Sequence, residues 1–244
     1  MVLAAAREDK PTVAVILMFL AVFLFTLIDS SAKWLILYGL PAVQVIFARY
    51  CGAFLVSILL FIPRGGLHQF VSNNPKLQFS RAIALLGGTT FNFLALQFLP
   101  ITTTIAIFFA MPLVITVLGY FILGEKVGFR RFAAVFVGFL GVLIIIQPWG
   151  QDFHWAMILS VAALFCASSY FILTRLLAGQ DNNATSQLWS SGVATFAIAP
   201  FALQNWHWPQ TNMGFCVLVI IGVFGAISHI LATRAHLLAN ASTL

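Results

Sequence analysis

A chain of 244 residues that is 61% hydrophobic and 7% charged cannot hide its apolar surface in a water-soluble fold, where about a quarter of residues are charged; it belongs in a bilayer. The net charge of +6 comes from 12 Lys and Arg spread thinly along the chain, which argues against a nucleic-acid surface, and 6 Asp and Glu leave little material for acid–base or metal chemistry. Cys51, Cys166 and Cys216 stand singly in apolar runs, with neither metal-ligand nor disulfide spacing.

A membrane span needs about 20 mainly apolar residues to cross roughly 30 Å. Eight such runs begin near Val13, Ala42, Ile83, Ile101, Phe132, Ala156, Leu188 and Met213; the last ends near Leu231–His236, and a ninth starts at Ala239. The first run follows the charge-balanced stretch 7–10, is longer than a signal-peptide core and lacks a clean cleavage site, so it reads as an uncleaved span. The runs are continuous rather than alternating, which fits helices and not barrel strands. Turn residues fill the short connections at 38–41, 63–66, 72–75 and 179–183, and Leu99 and Pro100 form a tight hairpin between the third and fourth helices. The expected fold is an all-α integral membrane protein.

Glu125, Lys126, Arg130 and Arg131 place four charges within seven residues after the fourth run. With the N-terminus in the cytoplasm, Arg7, Lys10, Arg64, Lys76, Arg81, Lys126, Arg130, Arg131, Arg175 and Arg234 lie on the inner side, 10 of the 12 basic residues, and only Lys33 and Arg49 fall toward the outside. Trp149, Trp155, Trp206 and Trp208 sit in the outer connections, as an interfacial aromatic belt would.

Residues 17–35 can be laid on 159–177 with a shift of 142, which sets Lys33 on Arg175, and residues 95–104 on 235–244 with a shift of 140. Five helices separate the copies, so the second is inverted, a hallmark of secondary transporters. The expected organisation is a first five-helix repeat in residues 1–150 and a second, incomplete one in 151–244 holding helices six to eight and the start of a ninth. The first copy continues 43 residues past Thr104, to Gln147. A matching second copy would give ten helices and a chain of roughly 287 residues.

Residues 95–148, with their AL…P opening, Pro112 in mid-helix, Gly124–Glu125 and the Gly138–Gly141 pair, resemble the hallmark segment of EamA-type transporters in the drug/metabolite transporter superfamily. Lys33, Leu40–Pro41 and Arg49 resemble that family's first two helices, and the LTR at 173–175 its sixth. The resemblance implies two inverted five-helix repeats, cytoplasmic termini, a central substrate cavity and a multi-pass place in a cell membrane, the bacterial inner membrane first.

Among candidate functional residues, Asp29 and Lys33 are four apart and share a helix face. A charge at that depth costs at least about 2.5–3.5 kcal/mol, so the two are expected to pair or to face a wet cavity. There they would hold charged groups of a substrate, or Asp29 would take a coupling proton; the competing reading is snorkelling to the outer interface. Arg49, about eight residues into the second run, is expected to pair with Asp29 or to attract an anionic substrate. Asn92, Gln97, Tyr170 and His229, with Thr102–Thr104, Ser168, Ser169 and Asn240, line a polar path or glue helices together. Pro112 frees the carbonyl of Phe108 and kinks the fourth helix, as a hinge or as a static bend. Glu125 is an inner gate latch or a loop-anchoring partner of Lys126, Arg130 or Arg131.

No phosphate-binding loop, zinc-protease helix or nucleophile elbow occurs, so neither an ATP-driven pump nor a familiar enzyme is expected, and no cofactor or metal. The expected function is secondary transport of a small metabolite by alternating access: an amino acid or derivative, a nucleotide-like metabolite or a vitamin. The partners are that substrate and the lipid bilayer, with proton or ion coupling and a homodimer left open. The rival expectations are a non-transporting truncated subunit and an intramembrane enzyme.

Overall fold

The structure, a computed structural model, describes residues 10–124, 128–147, 150 and 153–238. Glu125, Lys126, Trp149 and Asn240 lie outside the described residues.

Among the described residues the eight apolar stretches become nine α-helices, because one stretch is broken: α1 Pro11–Leu37, α2 Ala42–Gly65, α3 Pro75–Phe98, α4 Ile101–Phe108, α5 Met111–Leu118, α6 Phe129–Ile146, α7 Ala156–Leu177, α8 Asn183–Gln204 and α9 Asn212–Leu238. The third and seventh expected starts, Ile83 and Leu188, fall late. Helix α3 opens with Pro75 behind Asn74, whose side chain accepts from the Leu77 N–H, and α8 opens behind Asn182, which accepts from the Thr185 N–H. Such caps satisfy the orphan donors of a first turn, so both helices begin in polar sequence that hydropathy alone does not register.

The fourth span, Ile101–Leu123, holds α4, a turn at Phe109 and Ala110, α5 and a π-helical segment Gly119–Leu123. Pro112 is the second residue of α5. Without an N–H it cannot serve the Phe108 carbonyl, and the helix breaks just before it, as expected of an interior proline. Gly124 closes the π segment at φ 65°, a left-handed cap that glycine adopts at least cost.

Six spans are long and apolar enough to cross a membrane by composition. Helix α8 is not among them although it has 22 residues. It carries buried Thr185, Ser186, Gln187, Ser190, Ser191 and Thr195, and α2, α3 and α9 pack against it, while Phe196 and Phe201 in its second half stay exposed. Phe19, Phe121, Ile144, Phe165, Phe196 and Val219 stand exposed around the outside, as lipid-facing residues do.

Helix α1 packs along α9, α3 along α7, and α2 against both α8 and α9. A shift of about 140 maps α1, α2 and α3 onto α7, α8 and α9. The α1–α9 contact is then the counterpart of α7–α3. Ile28, Leu35, Ile46, Tyr50, Phe93, Leu96 and Ile221 form the apolar centre. Helices α2 and α9 cross backbone to backbone at Gly52 and Gly222: a Cβ on Gly222 would stand 2.6 Å from the Gly52 Cα. Small residues permit such approach in membranes. All three cysteines are free thiols.

Gly222→Ala is expected to destabilise the protein by about 1–3 kcal/mol, the usual cost of overpacking, because the obstructing atom is backbone. Gly141→Ala, whose added Cβ meets nothing within 4 Å, should leave thermal unfolding in detergent unchanged; equal behaviour of the two variants would refute the close crossing.

Candidate functional site

The most buried charge belongs to Arg81, which sits in the second turn of α3 with no exposed surface. Its Nε donates to Thr174 Oγ1 at 2.7 Å; Nη1 donates to the Ser186 carbonyl at 2.9 Å and to Ser190 Oγ; Nη2 donates to Tyr170 Oη at 2.9 Å and Thr233 Oγ1 at 3.2 Å. The guanidinium carbon also lies 4.6 Å from the Tyr170 ring centre. These are all five N–H groups an arginine has, and every acceptor is neutral. Arg81, expected on the inner side with the other basic residues, is a fully buried side chain near the start of α3. Because α3 begins at Pro75 rather than Ile83, Arg81 lies inside the bundle, joining α3 to α7, α8 and α9.

Arg49 on α2 is buried too, with 4% exposure. Nη1 donates to Thr89 Oγ1 at 3.1 Å, and Nη2 lies 2.8 Å from His229 Nε2. A guanidinium has no acceptor, so Nη2 donates and His229 Nε2 carries no proton. The imidazole proton then sits on Nδ1, which donates to Tyr170 Oη at 3.0 Å. The tyrosine oxygen accepts from both Arg81 and His229, and its own O–H is left to give. Tyr50 Oη is bonded to the Leu85 carbonyl at 3.0 Å and to Thr89 Oγ1 at 2.7 Å. Phe25 of α1 stands with its ring centre 4.9 Å from that of His229.

On α1, Phe25, Asp29 and Lys33 follow one another at four-residue spacing on one face. Asp29 and Lys33 share that face as expected but do not pair. Asp29 Oδ1 accepts from Asn92 Nδ2 at 3.0 Å, while Lys33 Nζ donates to the Leu96 and Leu99 carbonyls at the end of α3. Those orphan carbonyls, at the negative end of the helix dipole, hold the ammonium away from Asp29. Nor does Arg49 bond Asp29 directly; it acts on the carboxylate through its field. Two buried atoms here lack partners, Arg49 Nε and Asn92 Oδ1.

Of the expected residues, Arg49, Tyr170 and His229 join one hydrogen-bonded group, Asp29 and Asn92 form a bonded pair within reach of the Arg49 charge, and Lys33 bonds the end of α3. Gln97 does not join: it is exposed near the end of α3. Thr104, Ser168 and Ser169 bond back to carbonyls of their own helices, Ile101, Leu164 and Phe165. Phe25, Tyr50, Arg81 and Thr89 belong to the group without having been expected there. Helical spacing held the signal for two of them, since Phe25 precedes Asp29 by four and Thr89 precedes Asn92 by three.

Two further ties link the helix ends. On the side where α1 begins, Asp181 accepts from Ser72 Oγ, from the Asn73 N–H at 2.8 Å and from Gln78 Nε2 at 2.9 Å. Burial alone would raise the Asp181 carboxyl, but these hydrogen bonds hold it below the ordinary carboxylate range. Their contribution to stability is therefore complete above that range and is lost only as pH falls below it. On the opposite side, Gln44 Nε2 donates to the His207 carbonyl at 2.6 Å and Gln44 Oε1 accepts from the His207 N–H at 2.9 Å.

Arg81→Lys is expected to lower stability in detergent by at least about 2 kcal/mol despite keeping the charge, because three donors cannot serve five acceptors and charge-assisted bonds of this kind contribute about 1.5–3 kcal/mol. An unchanged melting temperature would contradict the hub.

The family model described as the EamA-like transporter family matches residues 12–147. A riboflavin transporter of Vibrio cholerae serotype O1 is 30% identical over 245 residues, covering 96% of this chain and 80% of that protein. An S-adenosylmethionine uptake transporter of Rickettsia bellii is 26% identical, covering 90% of this chain and 76% of that protein. A solved crystal structure superimposes with a TM-score of 0.70 at 18% identity over 94% of this chain and 80% of its own, which bears on the fold. With the family match spanning more than half of the chain and a relative aligned along nearly all of it, this protein belongs to the EamA-like transporter family.

Proposed function

We propose that this secondary transporter carries a planar heterocyclic metabolite of the riboflavin kind, moving it chemically unaltered between two inverted repeats, residues 1–150 and 151–244. One observation carries the reading: the central group offers an unmatched donor, Arg49 Nε–H, and an unmatched acceptor, Asn92 Oδ1, beside the aromatic rings of Phe25, Tyr50 and Tyr170. An unsatisfied buried polar atom costs about 1–3 kcal/mol. A ligand with an amide-like N–H next to a carbonyl, on a flat apolar ring, relieves both costs at once. A flavin ring has that edge, and the Vibrio cholerae relative is named for riboflavin.

A second reading, a nucleoside bearing a positive charge, is favoured by Asp29, whose carboxylate has one hydrogen-bonding side chain, Asn92, and is only half-buried. The Rickettsia relative is named for S-adenosylmethionine. We place the N-terminus in the cytoplasm of a bacterial cell, on the strength of the basic residues on that side. We assign Pro112 the hinge of the fourth span, because the helix breaks just ahead of it.

Uptake of radiolabelled riboflavin and S-adenosylmethionine by proteoliposomes separates the readings: saturable riboflavin uptake blocked by excess flavin supports the first, and uptake of S-adenosylmethionine alone replaces it with the second. Asn92→Leu is expected to raise the KM for riboflavin about tenfold, the effect of losing roughly 1.4 kcal/mol of binding, with little change in folded protein. Asp29→Asn should abolish any stimulation of uptake by an imposed proton gradient; full stimulation in that variant rules out Asp29 as the coupling group.

A further inference from the structure

We infer that the two ties at the helix ends, the Asp181 knot and the Gln44–His207 clasp, are the alternating gates of this carrier, and that they turn about the Gly52–Gly222 crossing. Each tie joins the two halves of the chain. The knot links the 66–74 connection to the 178–182 connection, and the clasp links the start of α2 to the 205–211 connection. Under the repeat shift of about 140, the stretch leading into α2 corresponds to the stretch leading into α8, and 66–74 corresponds to 205–211. The clasp and the knot therefore tie repeat-related regions together on opposite sides of the membrane, through different residues. Gly52 and Gly222 touch between them, where α2 and α9 have no side chains to hold them apart.

The two gates are unequal. The clasp is one buried glutamine making two bonds to a backbone. The knot is a carboxylate with three donors, supported by Asn73 Nδ2 donating to the Gln180 carbonyl, Asn182 Nδ2 to Gln69 Oε1 at 2.7 Å and Trp189 Nε1 to the Phe70 carbonyl at 2.9 Å. On the same side the Lys10 N–H reaches the Leu238 carbonyl at 3.3 Å, tying α1 to α9. Bonds to an ionised acceptor are roughly twice as strong as neutral ones. The gate on the side where α1 begins is the more firmly closed, and the clasp is the one that yields first.

The inference rests on the transport function of the family and not on the substrate, so its test needs no ligand and stands apart from the flavin assignment. With Cys51, Cys166 and Cys216 changed to serine, single reporters Val45→Cys and Thr185→Cys occupy corresponding positions in the first turns of α2 and α8, both buried. Their labelling by a membrane-impermeant maleimide is followed in vesicles of each orientation. Asp181→Ala is expected to speed labelling at Thr185→Cys about fivefold and to slow it at Val45→Cys; Gln44→Ala is expected to do the reverse. Ser72→Ala, which keeps the carboxylate and deletes one donor, should act as Asp181→Ala does but less, and decides the matter if Asp181→Ala lowers the amount of folded protein. Faster labelling at both reporters means local loosening and overturns the inference, as does no change at either.

Discussion

A guanidinium inside a bilayer has nowhere to send its protons except to other protein atoms, and the arrangement of this molecule follows from how Arg81 meets that demand. The lipid interior offers no acceptors, and each unsatisfied polar group there costs several kcal/mol. Five acceptors must therefore converge, and they come from Tyr170 and Thr174 on α7, Ser186 and Ser190 on α8 and Thr233 on α9. This accounts for a helix such as α8, too polar for a lipid-facing span yet placed within the membrane bundle. Its serines face the charge. A carboxylate would have satisfied Arg81 with fewer groups, but it would also have neutralised it. Among the described residues Asp29 is the only acid within a span, and Arg49 and Arg81 alone are two buried basic residues against it, so the interior keeps an excess of positive charge.

The same donor inventory fixes direction in the central group. Arg81 and Arg49 give only protons, and between them stand Tyr170 and His229. With a donor at each end, His229 holds its proton on Nδ1 and has no free lone pair while both bonds persist. A coupling proton carried at His229 would first have to break the Arg49 bond. Asp29 suffers no such restriction, because its second carboxylate oxygen is not engaged by a hydrogen-bonding side chain. Of the two, the acid on α1 is the one with an oxygen outside a side-chain hydrogen bond, and the histidine bridges Arg49 and Tyr170.

Much of this was legible in sequence because bilayer thickness and helical periodicity are simple constraints. Run lengths located the spans, proline marked the break ahead of Pro112, and buried polar types marked Arg49, Asn92, Tyr170 and His229. Periodicity assigns a residue to a face of its own helix but does not say what stands across from it. Hence Asp29 and Lys33 share one face, and of the alternatives open for them pairing is not the one adopted, since the long lysine finds acceptors at the end of α3. Hydropathy also reads a capped polar first turn as loop, which leaves Arg81 ahead of the expected helix start at Ile83 and its burial unseen. Gln97 had the right composition and the wrong face.

The knot and the central group are not separate devices. Gln78 Nε2 donates both to Asp181 and, at 3.0 Å, to Ser186 Oγ. The backbone carbonyl of that serine accepts from Arg81, which holds Tyr170 and, through it, His229 and Arg49. Such continuity alone does not establish coupling, but it constrains how the knot can open. If α8 moves away from α3, the Ser186 bonds to Gln78 and Arg81 stretch together, and Arg81 loses acceptors it cannot replace from lipid. Water entering through the opened knot is the one replacement at hand. Opening on that side therefore hydrates Arg81 and, beyond it, the tyrosine that touches the candidate site. Opening on the clasp side leaves Arg81 dry and its five bonds intact. The two gates lie at repeat-related connections, yet the charge placed near only one of them makes their energetic consequences differ.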